Sequence, residues 1–157
     1  MKRIFPIFFI FYIHQALCQN TTEENSQKVL IEVYGKCFKN LKSIEGTKAI
    51  LPIKKDTPFC SLYQCVSRIE FAENEKAIEE KILKRAIEIT TLLYNEGTPV
   101  YLMIGMGSFG EAEEKNQNLA DDNKLVYISI AECISSLSLN KIQEAVNEQT
   151  LKLISKK

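Results

Sequence analysis

The sequence predicts an α+β fold: a single small disulfide-stapled domain in which amphipathic helices pack on a sheet of two or three strands. Three observations carry that expectation. Between Glu75 and Asn95 apolar residues recur with the helical period. Val100, Tyr101, Leu102, Met103 and Ile104 form a short, continuously apolar run flanked by Pro and Gly, as in a strand buried on both faces. Four cysteines remain once an export leader is removed, an even number in an oxidising compartment. A long helix docked on a buried strand implies a layered core.

The leader is residues 1–18. Lys2 and Arg3 give a basic start, residues 4–13 are almost wholly apolar, and Ala16-Leu17-Cys18 places small residues ahead of polar Gln19. A membrane anchor needs about 18 or more uninterrupted apolar residues, whereas this run is broken by Pro6 and ends at His14-Gln15. The segment therefore reads as a signal peptide, with residues 19–157 a single secreted, extracellular domain that keeps no membrane span. Asn20-Thr21-Thr22 follows at once and makes Asn20 the candidate glycosylation site.

The remaining elements follow in order. Over residues 22–44, Leu30, Val33, Tyr34, Cys37, Phe38 and Leu41 share one helical face and Lys36, Lys39 and Lys42 the opposite one, with Thr21 and Glu24 spaced for a capping box and Gly46 closing the element. Ala49, Ile50, Leu51 and Ile53 suggest a short strand that Pro52 confines to an edge. Thr57-Pro58 can open a helix carrying Phe59, Leu62, Tyr63, Val66 and Ile69, although these residues also suit a strand. Asn74 is a good N-cap for the long helix, whose stripe is Ile78, Ile82, Ala86, Ile89 and Leu93 and whose polar side includes Glu79, Glu80, Lys84 and Glu88. Gly97 suits its C-cap, and Thr98-Pro99 forbids continuation.

After the apolar run, Gly105, Gly107 and Gly110 suggest a flexible turn, and residues 111–123, rich in acids, an exposed loop or surface helix. Leu125, Val126, Tyr127, Ile128 and Ile130 read as a second buried strand. Ser138 or Asn140 caps a last amphipathic helix through Ile142, Val146, Thr150, Leu153 and Ile154. The two central strands pair antiparallel, or parallel if residues 111–122 form a crossover helix. Four cysteines allow three pairings; the expected one joins Cys37 to Cys60 or Cys65, and Cys133 to the other.

Charge and composition exclude several functions. Losing Lys2 and Arg3 leaves 18 basic residues against 20 acidic, a net charge of about −2, which argues against a dedicated nucleic-acid binder. The only histidine, His14, leaves with the signal, so the mature chain has no Ser-His-Asp or Cys-His arrangement and no imidazole acid or base. A zinc site usually shows two close cysteine pairs, and only Cys60 and Cys65 are close. No cofactor or metal is expected. What survives is carboxylate chemistry across a cleft, with Asp56, Glu70, Glu111 and Glu132 as candidates.

Residues 105–110 match G-x-G-x-x-G behind a strand, and Glu132 stands where the ribose acid of a dinucleotide site would. The helix of such a site would open on Glu111, Glu113 and Glu114, three carboxylates where an anion must bind. Residues 104–111 also resemble the glycine-rich loop of protein kinases. That resemblance implies a phosphate-pairing lysine where this chain has Ser129, and no His-Arg-Asp loop follows. Cys60-Ser-Leu-Tyr-Gln-Cys65 resembles a run in the insulin A chain, without the paired cysteines of that framework.

The leading expectation is a secreted, non-catalytic protein that binds an extracellular macromolecular partner, most simply a protein. Its contact surface is residues 105–123, long, polar and glycine-hinged, with Gly105, Gly107, Phe109 and Gly110 as candidate contact residues. A carrier of a small apolar ligand held between helices and sheet is the alternative, and a small carboxylate-dependent hydrolase the third reading.

Overall fold

A computed structural model of the chain describes residues 27–47, 59–117, 125–133 and 135–156. Helix α1 (27–35) is followed by α2 (Leu62–Ile69) with a 3-10 turn (Glu70–Ala72), α3 (Lys76–Asn95), β1 (Val100–Ile104), α4 (Ser108–Gln117), β2 (Val126–Ala131) and α5 (Leu137–Ile154). The fold is α+β: among the described residues, five helices pack on a two-stranded parallel sheet. Residues 111–117 are thus helical, and the crossover arrangement is the one adopted. The signal segment, Asn20 and the expected edge strand at 49–53 lie outside the described residues.

Local chemistry sets most boundaries. Ser61 caps α2: its hydroxyl accepts from the Gln64 N–H while the Gln64 side chain accepts from the amides of Ser61 and Cys60, a full capping box. The helix therefore begins four residues later than Thr57 as cap would place it. The end of α3 is a Schellman motif, Thr98 N–H to Leu93 O at 3.0 Å and Gly97 N–H to Tyr94 O at 2.9 Å, with Gly97 at φ 82° where a side chain would be strained. Its start has Glu75 rather than Asn74 as the half-in residue, with no side-chain cap. Ser136 caps α5, two residues ahead of Ser138.

One sheet face is buried at its first two positions on each strand, with Ile104 and Ile130 partly buried beyond them. Val100, Leu102, Val126 and Ile128 point into a core with Ile82, Ala86, Ile89 and Leu93 of α3, Leu62 and Ile69 of α2, and Ile142 and Val146 of α5. The other face is only half covered, by α4, so Tyr101, Met103, Tyr127 and Ser129 are intermediate in exposure and neither strand is buried on both faces. A two-strand sheet leaves two backbone edges, and here asparagine amides close them. Asn147 of α5 accepts from Leu102 N–H at 2.7 Å and donates to Leu102 O at 2.9 Å. Asn116 of α4 does the same to Tyr127, at 2.8 and 2.7 Å. Each buried amide presents the donor and acceptor that a neighbouring strand would. Thr150 adds a hydrogen bond to Val100 O at 2.7 Å.

Two expectations about the first half change. The first helix stops at residue 35, not 44, because Cys37 is bridged to Cys60 and Phe38 N–H is hydrogen-bonded to Cys60 O, which draws the chain off the helix axis. Lys36, Lys39 and Lys42 consequently form no helical row, and Lys36 pairs with Glu96 at the end of α3. The second bridge is not formed. Cys65 is a free thiol completely buried in α2, Cys133 a free thiol exposed beyond β2. Burial pushes the Cys65 thiol up to about 12, despite the opposing pull of Arg85 and Arg68.

Candidate functional site

The best candidate lies at the carboxyl end of β1 and along α4. The strand leaves through Gly105 at φ 131° and Gly107 at φ 80°, both in backbone conformations that disfavour a side chain. Between them Met106 is lifted into solvent, 91% exposed. Ser108 then starts α4 from a buried position. Its hydroxyl donates to Ala131 O at 3.2 Å, so the Ser129 hydroxyl donates to Ser108 across their 2.6 Å contact. These bonds clamp the start of α4 onto the end of β2. Gly110 sits inside α4 rather than in the turn, and Phe109, one residue before it, is 62% exposed.

The turn has the strand–glycine–helix geometry of a phosphate site, yet the amides of Ser108 and Phe109 at the start of its helix are engaged within the chain. Ser108 N–H bonds Gly105 O at 3.0 Å, and Phe109 N–H bonds the Glu132 carboxylate at 3.3 Å. Glu132 therefore occupies the place over the helix N-terminus that a phosphate would take, and an incoming anion meets a carboxylate there. It reaches α4 from the end of β2 and does not stand apart as a ribose ligand would.

Beside α4 runs an open apolar groove of about 290 Å³. Leu30 and Ile31 of α1 form one wall, Phe109 and Ala112 of α4 the other, with Asn116 and Ser129 beneath. Ile31 is 70% exposed. Asn116 is bonded to Tyr127 and Ser129 to Ser108, so apart from Gln27 of α1 and Glu113 the groove presents carbon. Glu113, half-buried, is the one charged residue in the lining.

Of the residues expected at the contact surface, Gly105, Gly107 and Phe109 are gathered at this end of α4, while Gly110 serves the helix interior and residues 118–124 lie outside the described chain. The α1 wall was not foreseen. By periodicity Leu30 belongs to the packing stripe and Ile31 lies outside it; an apolar residue off the stripe of an amphipathic helix is the sequence signal for such a wall. Neither the groove nor a wider depression over α3 has Glu70, Glu111 or Glu132 in its lining. Glu70 belongs to the turn after α2, Glu111 pairs with Lys115 at 3.5 Å, Glu132 holds Phe109 N–H, and Asp56 is outside the described residues. The wider depression, of about 730 Å³, carries Lys42, Glu45, Lys81, Lys84, Arg85 and Glu88. There Lys81 donates to Glu45 O, and buried Arg85 is held by Glu88 and by the carbonyls of Lys42 and Phe59. These charges tie the loop 36–47 and residue Phe59 to α3.

Among the described residues no helix is long and apolar enough to cross a membrane. No protein-family model matches the chain, and no curated protein or solved structure does either.

Proposed function

We propose that this is a secreted, non-catalytic protein that binds an extracellular macromolecular partner through the α1–α4 groove and the adjoining glycine turn. The observation that carries the reading is an apolar groove lined by the exposed side chains of Ile31 and Phe109, with exposed Met106 on the glycine turn that leads into α4. Folding gains nothing from leaving large apolar surface in water, so such exposure is more economically explained as a binding surface than as packing. The bonds holding Ser108, Asn116 and Glu132 make the wall rigid before binding, which lowers the ordering cost of association.

The test is crosslinking in place. A photoreactive side chain at position 109 of the exported protein should yield a discrete adduct in the source's extracellular fluid. Ile31→Asp with Met106→Asp should abolish it, and Lys84→Ala, on the far depression, should not. An adduct pattern indifferent to the aspartates removes the groove from the function.

The groove itself favours a second reading, a carrier of a small apolar ligand. Native mass spectrometry of exported protein distinguishes the two, because a carrier shows extra mass that is lost on denaturation.

A further inference from the structure

We infer that the groove between α1 and α4 takes the apolar anchor of a cationic amphipathic protein segment, one whose lysines or arginines meet carboxylates at the groove's mouth. The inference rests on the proposed binding function and gives its partner a chemistry.

Size comes first. A volume of about 290 Å³ lies at the lower end of the roughly 300–1,000 Å³ typical of drug-sized ligand sites. It is open along its length and bounded by two helices, a shape suited to a few side chains projecting from a continuous segment. With Asn116 and Ser129 bonded beneath, nothing in the floor rewards a polar head group, so the anchors are aliphatic or aromatic.

Charge then selects among apolar guests. Glu113 is in the lining itself, half-buried. Glu132, just past the end of β2, holds its carboxylate against the amide of Phe109, which belongs to the lining, whereas Glu111 faces the side of α4 away from the groove. The one basic residue of α4, Lys115, is already paired with Glu111 and lies 5.1 Å from the Tyr127 ring centroid. On the α1 side Lys28 and Glu32 offset each other. The charge that α4 and the end of β2 bring to the apolar trough is therefore negative, from Glu113 and Glu132. A fatty acid, an anionic lipid surface or a nucleic acid brings charge of the wrong sign, while a basic amphipathic segment matches both the trough and its rim.

The chain contains no tryptophan, so a single tryptophan in a peptide reports binding without background. The probe is a synthetic amphipathic helix of about 18 residues built from Leu and Lys around one Trp, against the same design with Glu for Lys. The exported full chain should bind the Leu/Lys peptide and not the Leu/Glu peptide. Affinity should fall by about tenfold or more as ionic strength rises from roughly 0.05 M to roughly 0.3 M. Glu113→Lys should weaken binding by about tenfold or more, and Phe109→Ser, at an exposed position that does not carry the fold, by a similar factor. Lys84→Ala should leave it unchanged.

Equal binding of both peptides, or Leu/Lys binding indifferent to Phe109→Ser and Glu113→Lys, overturns the inference. So does a dimer in sedimentation equilibrium that Phe109→Ser dissociates, since the groove then serves a second copy. If the peptide fails while Ile31→Asp with Met106→Asp still abolishes the crosslink at position 109, the partner chemistry is wrong and the binding surface stands. If both fail, the binding function fails with it.

Discussion

Glu79 illustrates how a single residue escapes a periodicity argument. By spacing it belongs on the polar side of α3, yet it is only 5% exposed. Lys141 donates to both of its oxygens at 2.9 Å, and Ser138 donates to one at 2.9 Å, so its charge is answered from α5 rather than from water. The Lys141 hydrogen bonds, and more weakly that of Ser138, hold the Glu79 carboxyl below its usual range against the opposing effect of burial. A depressed folded-state pKa stabilises the fold above the unfolded value, about 4.3, and that contribution is lost as pH falls through the folded pKa. Glu79→Gln should therefore lower Tm at pH 7, and the gap to wild type should close progressively below about pH 4. Thermal melts of the two proteins from pH 7 to pH 3 measure this. A gap that stays constant would mean the carboxylate's charge contributes nothing to the α3–α5 contact.

At the scale of elements, two strands make a sheet that is all edge. The asparagines of α4 and α5 resolve this by acting as one-residue strands against Tyr127 and Leu102. Asn147→Ala leaves Leu102 N–H without a partner and Leu102 O with only its 3.3 Å bond from Gln143, so a loss of about 1–3 kcal/mol is expected in urea unfolding. Asn147→Asp sharpens the test. The new carboxylate can accept from Leu102 N–H but faces Leu102 O with no proton to give, so this variant should be least stable at neutral pH. Its folded-state pKa is raised, so stability should return as pH falls through that value and the acid becomes a donor. The strands themselves are legible in the sequence, through Val100 to Ile104 and Val126 to Ile130, because a run of apolar β-formers is a local signal. The closure is not, since an asparagine on a helix looks the same whether it faces water or a strand.

For the whole molecule, one bridge ties the amino-terminal segment to the core. Cys37–Cys60 closes a loop of 23 residues in separation, and the same junction carries the Phe38 N–H to Cys60 O hydrogen bond and the Arg85 contacts to Lys42 and Phe59. Closing a loop of that length stabilises by about 3 kcal/mol in the chain-entropy model. A Cys37→Ser, Cys60→Ser double variant should lose about that much in denaturant unfolding, with the midpoint shifted and the slope little changed if the rest of the core unfolds as one unit. Because α1 supplies a wall of the groove, the same variant should also weaken binding there more than Lys84→Ala does. Neither effect involves Cys65, whose thiol is sealed in the core.

The sequence by itself determined what short-range sterics and hydrophobic periodicity control. Helix α3 stops just before Gly97 because the cap needs a left-handed residue there, α5 and the two strands fall close to where their patterns put them, and Gly105 and Gly107 form the turn because their φ values suit little else. Tertiary structure alone decided the parallel pairing of β1 with β2, the choice of Cys60 over Cys65 as partner of Cys37, the burial of Glu79 and the joining of α1 to α4 around a groove. Each of these is set by residues distant along the chain, Leu102 with Asn147 across 45 positions and Glu79 with Ser138 across 59. Such contacts form only when the whole core closes, and the energies that select them, burial and the pairing of buried polar groups, have no counterpart in a local window of sequence.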